Sequence, residues 1–277
     1  MDIKILFKRL LLVNFFVVNC FAINPVPCKN GKIYHGGLCA INSSMQCLWQ
    51  LPKFISYIER DKIKTSDDNK IEVKILKSTL NDIKSYNVKS ESICYWNLFN
   101  ALDTAQSSFV FIEKLIERLN FKQTSYAYQT NSNKSKSNLF INIVPELDLI
   151  YIKPNTIKQE EFTQKDLSIF LSKKINILTE IWNKNSNSQI KYENSFELFA
   201  IVSITDLMAK IGHNVAYVNY ENNWIKVNDE QISYFKNLEY IINDIYENGG
   251  IPDVLLFKKI DNQEDLLAIA ISLLDEN

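Results

Sequence analysis

A cysteine near the start of the chain and a histidine far along it are the residue types of a thiol nucleophile and its base. Cys39 follows a pair of glycines and stands where a helical pattern begins. At a helix N-terminus, the dipole and the free N–H groups favour an anion and lower the pKa of a thiol. A cysteine by itself is more often a small buried residue. The chemistry therefore depends on a base, and the chain has two histidines, His35 and His213.

A predicted hairpin supplies a third polar group beside His213. Residues 213–218 and 224–227 have strand patterns and are separated by a polar turn. A turn centred between Tyr220 and Glu221 places Asn228 opposite His213, and a turn centred on Glu221 places Asp229 there. Opposed Cβ atoms lie about 5 Å apart, so either side chain can orient the imidazole. Both registers stay open at this stage, as does an ordinary surface Asn-Asp pair at a strand end.

The cysteine is positioned by a predicted helix over residues 39–51. Ile41, Met45 and Leu48 form one apolar stripe at helical spacing, while the serines and the glutamine between them fall largely off it. Pro52 ends the pattern.

The remaining patterns place helices first and strands later, which is an α+β order. We predict helices over residues 54–60, 71–86, 103–119, 230–246 and 264–274, and a mixed segment, helical in part, over 166–182. We predict strands over 139–144, 147–153, 196–203, 214–218, 224–227 and 251–257, with polar loops at 129–138 and 183–188.

The N-terminal 22 residues have the composition of a secretory signal peptide. Lys4, Lys8 and Arg9 precede an apolar stretch over residues 10–18, and Ala22 is a plausible cleavage residue. The apolar stretch is too short to span a membrane. We therefore predict a secreted protein whose residues 23–277 form a single domain, with no membrane contact after removal of residues 1–22.

Charge and cysteine spacing exclude several kinds of site. The net charge is −1 and becomes more negative without the basic N-terminus, which argues against nucleic acid as a partner. No Cys-x-x-Cys pair or His/Cys cluster is present, so we predict neither a metal site nor a cofactor. Cys39 and Cys47 lie about 12 Å apart along one helix, too far to bridge. A Cys28–Cys94 disulfide stays open.

Three stretches, in order, resemble the ubiquitin-specific protease family of papain-like deubiquitinating enzymes. Residues 39–48 resemble its cysteine box, and residues 196–229 resemble its histidine box. Between them, residues 106–119 are similar to the family's middle helix, and residues 139–143 sit where it has a palm strand. The matches span roughly residues 30–235.

The resemblance implies an α+β papain-like fold with a helical thumb, an antiparallel β palm and reduced fingers. It implies a monomeric thiol hydrolase that cleaves after the C-terminal Gly-Gly of ubiquitin or a ubiquitin-like protein, through a channel that admits glycine. Cys39 falls on the nucleophile, His213 on the base and Asn228 on the orienting position, with Asp229 as its acidic neighbour. Asn42 and Gln46 fall on supporting positions of the cysteine box.

The sequence also departs from the family pattern. Tyr34 stands where the family has an asparagine that donates to the oxyanion, so Tyr34 or the adjacent His35 would have to replace it. Asn214 replaces the usual tyrosine after the histidine, residues 107–109 replace polar residues of the middle helix, and the zinc-binding cysteine pairs of the fingers are absent.

These departures leave two alternatives open. One is a catalytically weak or inactive ubiquitin-binding module on the same fold, and the other is a papain-like peptidase with another substrate. A signal peptide on such a chain predicts export, with delivery toward a eukaryotic host cell as the simplest reconciliation with a ubiquitin partner.

Overall fold

The structure of the chain is a computed structural model that describes residues 38–60, 70–84, 107–132, 135–154, 174–183, 188–205, 212–220, 223–228 and 231–260. The predicted signal peptide, the predicted closing helix over 264–274, and both Cys28 and Cys94 lie outside these ranges. None of the described helices is long and apolar enough to cross a membrane.

The described helices follow the apolar periodicity of the sequence. Pro52 occupies the first turn of the second helix, where its fixed φ is already helical. Asn237 caps the last one by accepting a hydrogen bond from the Tyr240 N–H at 3.2 Å. In chain order the helices are α1 (Leu38–Leu48), α2 (Pro52–Glu59), α3 (Lys70–Lys84), α4 (Ser108–Arg118) and α5 (Leu238–Glu247).

The described strands are β1 (Thr124–Ser132), β2 (Ser135–Val144), β3 (Leu149–Pro154), β4 (Lys174–Asn183), β5 (Ser188–Thr205), β6 (His213–Tyr220), β7 (Asn223–Asn228), β8 (Gln231–Phe235) and β9 (Ile251–Lys259). They form one nine-stranded antiparallel sheet with the order β1-β2-β3-β9-β5-β6-β7-β8 and with β4 paired to β5.

Helices cover both faces of this sheet. Apolar side chains of α1 to α4 pack on one face in a large buried cluster that includes Met45, Phe111 and Phe199. On the other face, α5 packs over a smaller cluster that includes Tyr217. Asp244 of α5 also accepts hydrogen bonds from the Tyr217 hydroxyl at 2.7 Å and from the Lys226 ammonium at 2.6 Å. The sheet is therefore the middle layer of three.

Most of the predicted elements are confirmed. The helices over 39–51, 54–60 and 71–86 and the strands over 139–144, 196–203, 214–218, 224–227 and 251–257 lie within or overlap the observed elements. The helix predicted over 103–119 begins at Ser108, because Ser107 is extended and serves as its N-cap. The strand predicted from residue 147 begins at Leu149, after a 3-10 turn over Pro145–Leu147.

The polar loop predicted over residues 129–138 is wrong. β1 and β2 continue into this stretch, and Gln129 pairs with Asn138 and Thr130 with Ser137. The stretch is rich in Asn, Ser and Lys, and residue types that are uncommon in strands favour a loop when composition alone is considered. Cross-strand backbone hydrogen bonds do not depend on side-chain type, so the hairpin extends further than composition indicates.

Two helix predictions are also wrong in part. Residues 174–182, within the segment predicted as partly helical, form β4, whose pairing with β5 runs from Lys174 to Asn183. Residues 231–235, within the helix predicted over 230–246, form β8 and pair with β7. In both segments the apolar residues fit a helical repeat and a strand repeat equally over a short window. Pairing with a neighbouring strand decides that the segment is extended.

Candidate active site

Cys39 is the second residue of α1 and lies at the N-terminus of that helix, as predicted. The stripe of Ile41, Met45 and Leu48 is fully buried. The helix contacts β6, β5, β7 and α4, so it is enclosed on several sides. Packing of this kind holds the start of the helix, and with it the Cys39 side chain, in a fixed place.

Three polar residues of α1 that the sequence places largely off the apolar stripe are buried as well. Ser43, Ser44 and Gln46 are each at most 5% exposed. Because α1 is enclosed, Ser43 bonds to a neighbouring strand, while Ser44 bonds to the backbone of α1 itself. The Ser43 hydroxyl donates to the Asn214 carbonyl oxygen at 2.9 Å, and the Ser44 hydroxyl donates to the Ala40 carbonyl oxygen at 2.6 Å.

His213 is the first residue of β6, and its backbone is fixed by two features. The Thr205 hydroxyl of β5 donates to the His213 carbonyl oxygen at 3.2 Å. A Cβ on the preceding residue, Gly212, would lie 2.9 Å from Cγ2 of Ile204, inside van der Waals contact. A glycine at this position therefore lets the chain approach β5 closely. The His213 imidazole forms a hydrogen bond with the Cys39 thiol.

Asn228 reaches His213 across the hairpin. Asn228 Oδ1 lies 2.8 Å from His213 Nε2. The hairpin register pairs Ala216 with Val227 and Tyr220 with Asn223, so neither predicted register is correct. This register sets Asn228 diagonal to His213 on the same sheet face, which is within reach of a longer side chain. With Nε2 taken by Asn228, the other ring nitrogen, Nδ1, is the one that can accept the thiol proton.

The surroundings of Cys39 favour its thiolate. Burial alone would raise the pKa of Cys39. Hydrogen bonds from the His213 ring and from the backbone and side chain of Asn214, together with the charge of His213, outweigh burial and lower the pKa to about 7. Cys47 lies about two turns further along α1. It is fully buried, and burial raises the pKa of its thiol. Both cysteines are free thiols, and only Cys39 is activated.

Asn214 is a site residue that sequence reasoning missed. Its Nδ2 donates to Cys39 Sγ at 3.6 Å, and its Oδ1 accepts from the Ser108 hydroxyl at 3.2 Å. It is 7% exposed and lies in β6, which alternates so that Asn214 faces α1. The only signal in the sequence was an amide directly after the histidine, which carried no indication of its partners.

The N-terminus of α4 abuts the same site. The Ser108 backbone N–H donates to Asp253 Oδ2 at 2.9 Å, and the Ser107 hydroxyl donates to the same carboxylate at 3.2 Å. Burial raises the pKa of Asp253, while the Lys153 charge and these hydrogen bonds oppose that shift. Asp253 therefore caps α4 from β9 and fixes Ser108 beside Asn214.

A groove opens between α4 and the sheet, beginning one residue from Ser108. It encloses about 480 Å³, with apolar walls and one acidic and one basic side chain. Its main lining residues are Phe109, Val110, Glu113, Phe140, Asn142 and Lys153. The Lys153 ammonium lies 5.3 Å from the centre of the Phe109 ring.

The remaining predicted site residues, Tyr34, His35 and Asp229, lie outside the described residues. Within the part of the chain that the structure describes, no group of three or more His, Cys, Asp or Glu side chains is placed to hold a metal ion. The structure thus brings together Cys39, His213 and Asn228 and adds Asn214.

Comparison with known proteins places this arrangement in a known fold. No protein-family model and no curated protein sequence matches the chain. Among solved structures, it is similar to the Saccharomyces cerevisiae PAN2 pseudoubiquitin-hydrolase, with a TM-score of 0.52, 10% identity, and coverage of 80% of this chain and 82% of that one. It is also similar to the SAGA Ubp8/Sgf11/Sus1/Sgf73 DUB module, with a TM-score of 0.45, 14% identity, and coverage of 88% and 69%.

The likeness to the PAN2 domain concerns the fold. It confirms the α+β fold of the ubiquitin-specific protease type that the three sequence stretches predicted, because helices pack on an antiparallel sheet in the same arrangement at very low sequence identity.

Proposed function

We propose that this chain is a thiol hydrolase that cleaves after the C-terminal Gly-Gly of ubiquitin or a ubiquitin-like protein. The single observation that carries the proposal is the contact of Cys39 with His213, whose ring is in turn held by Asn228 at 2.8 Å. A nucleophile, a base and an orienting amide in that order are the parts of a Cys-His-Asn site.

The proposed reaction has two steps. The Cys39 thiolate attacks the carbonyl carbon of the terminal glycine, after its proton has passed to His213. The carbon–nitrogen bond then breaks, the imidazolium gives its proton to the leaving amine, and a thioester remains on Cys39. Water, deprotonated by His213, attacks the thioester, and the freed carboxylate and the regenerated Cys39 thiol complete the cycle.

Stabilisation of the oxyanion is assigned to backbone and phenol donors. The Cys39 N–H at the start of α1 is unpaired within the helix and can donate to a negative oxygen. We propose Tyr34 or His35 as the second donor, and Asp229 as an acidic neighbour of Asn228. A donor of this kind contributes about 2.7–4 kcal/mol to transition-state stabilisation in other hydrolases.

The groove beside α4 supports a peptide tail as the substrate. It is lined by Phe109 and Phe140, and Glu113 in its wall can pair with a basic side chain of the tail. Apolar walls, one carboxylate and one ammonium suit a tail that carries apolar and charged residues.

A ubiquitin-binding module without catalytic activity is the second candidate. The observation that favours it is the likeness to a domain described as a pseudoubiquitin-hydrolase, together with Tyr34 at the expected oxyanion position. The two candidates share a fold and a partner and differ only in the chemistry at Cys39.

Incubation of the full chain with ubiquitin that carries a C-terminal electrophile separates them. We expect intact-mass spectrometry to show one ubiquitin added to the wild type and to Cys47→Ala, and none added to Cys39→Ala. The same probe built on a ubiquitin-like protein tests the substrate class.

Two results would contradict hydrolase activity. The first is no adduct with the wild type while ubiquitin still binds, which selects the second candidate. The other is an adduct that persists in Cys39→Ala.

A further inference from the structure

The side chain of Asn214 contacts the reacting sulfur, and nothing in the proposed Cys-His-Asn mechanism accounts for it. Its Nδ2 lies 3.6 Å from Cys39 Sγ, across 175 residues of sequence. The backbone N–H of Asn214 also bonds to Cys39, so this one residue supplies two donors to the same thiol. A thiolate can only accept hydrogen bonds, so both donors favour the charged form of Cys39.

The orientation of the Asn214 amide decides whether it helps, since the opposite orientation would present an oxygen to the sulfur. The Ser108 hydroxyl, at the start of α4, lies 3.2 Å from Asn214 Oδ1 and also 3.2 Å from the Ala40 carbonyl oxygen. The Ala40 oxygen already accepts from Ser44 at 2.6 Å. When the single Ser108 proton goes to Asn214 Oδ1, Nδ2 faces Cys39.

Burial gives this contact its strength. Asn214 and Ser108 are both buried, and water does not compete well for their polar atoms. Ser108 is itself held by the Asp253 carboxylate through its backbone N–H. The path from Asp253 through Ser108 to the amide thus consists of fixed groups.

We infer that Asn214 is a further catalytic residue, whose amide donates to the Cys39 thiolate, and that Ser108 is a positioning residue that orients the amide. The role of Asn214 in hydrolysis rests on the proposed function, whereas its hydrogen bond to the thiolate does not. The thiolate and its donor can be tested without ubiquitin.

The pH dependence of Cys39 alkylation by iodoacetamide, followed at that residue by mass spectrometry, provides the test. Two titratable groups lie around the thiol in the described elements. They are His213 on β6 and Asp253, which is bonded to Ser107 and Ser108, and none of the variants used replaces either residue. Asn214→Leu keeps the size of the side chain and the backbone donor. We expect the pH at which the alkylation rate is half-maximal to rise by about one unit, because a hydrogen bond to a charged group is lost.

Two further variants separate orientation from general disruption. Ser108→Ala removes the group that orients the amide, and we expect a smaller upward shift. Ser43→Ala removes a buried hydroxyl that donates to the Asn214 carbonyl oxygen and not to the Asn214 side chain, and we expect no shift. Buried Cys47 reports in every variant whether the protein stays folded, because it reacts only after unfolding.

The inference is overturned if Asn214→Leu and Ser108→Ala both titrate like the wild type, or if Ser43→Ala shifts as far as Asn214→Leu. If Asn214→Leu does not fold, Ser108→Ala alone decides. A shifted profile without any ubiquitin adduct would leave this inference standing and remove the proposed hydrolase activity, so the two can fail separately.

Discussion

At the scale of single residues, the site depends on contacts between atoms far apart in sequence. His213 reaches Cys39 on one side and Asn228 on the other. The amide of Asn228 can only help if it accepts a hydrogen bond from the ring, and this orients the imidazole so that its other nitrogen faces the thiol. The ring is useful as a base because its partner holds it in place.

Replacement of Asn228 tests whether its amide orients the His213 ring. Asn228→Ala removes the acceptor at Nε2, and we expect the rate of adduct formation with the ubiquitin electrophile to fall about 10- to 100-fold. Asn228→Asp keeps an acceptor oxygen of the same reach and should stay within a few-fold of the wild type. The rates are measured by quenched time courses and mass spectrometry, and an unchanged Asn228→Ala rate would remove Asn228 from the site.

At the scale of elements, the site is the meeting point of two helix N-termini and two strands, of which β7 brings Asn228. α1 brings Cys39, α4 brings Ser108, and β6 brings both His213 and Asn214 on successive residues. The N-cap residue of α4, Ser107, makes no side-chain hydrogen bond to its own helix. The carboxylate of Asp253, in β9, takes over that role, so the sheet anchors the helix.

The cap predicts a stability difference. Asp253→Ala leaves the buried Ser108 N–H without an acceptor, and we expect it to lower the free energy of unfolding by about 1–3 kcal/mol. Asp253→Asn keeps an acceptor and buries no charge, so its loss should be smaller. Urea denaturation measures both.

A matched control lies on β5. Glu197→Gln removes an exposed carboxylate that is 3.3 Å from Lys258, and an exposed ion pair contributes little. We expect a change within about 0.5 kcal/mol. An Asp253→Ala loss no larger than that of the control would show that the carboxylate does not cap α4.

At the scale of the whole molecule, three layers fix the site. α1 is buried between the sheet and α4, and the sheet itself is covered on its other face by α5. Deep burial of α1 leaves Cys39 little freedom, and the proposed role as a nucleophile needs such a fixed position. In the described part of the chain, one apolar cluster lies on each face of the single sheet.

The fate of the whole chain is a separate proposal. We propose that residues 1–22 are removed on export and that residues 23–277 act as a single-domain, secreted monomer, which in a host cell would meet ubiquitin. N-terminal sequencing of protein from the culture medium should begin near Ile23, and its mass in solution should be that of one chain. Protein that keeps residues 1–22 and stays inside the producing cell would contradict export.

The sequence by itself determined the place of Cys39 at a helix N-terminus and the class of fold. The stripe of Ile41, Met45 and Leu48 is local, and it placed Cys39 at a helix N-terminus without any knowledge of neighbours. The strands around His213 were also predicted, because alternation over a few residues is a local property. The polar hairpin over 129–138 and the strand at 174–183 were not, because only pairing with another strand determines them.

Only the tertiary structure decided which polar groups surround Cys39. The hairpin register could not be fixed from the turn, and it places Asn228 diagonal to His213 instead of opposite. Asn214 and Ser108 lie 106 residues apart, and Asn214 and Cys39 lie 175 apart. Hydrogen bonds of this kind depend on atomic positions in packed elements, and no periodicity or spacing in the chain specifies those positions.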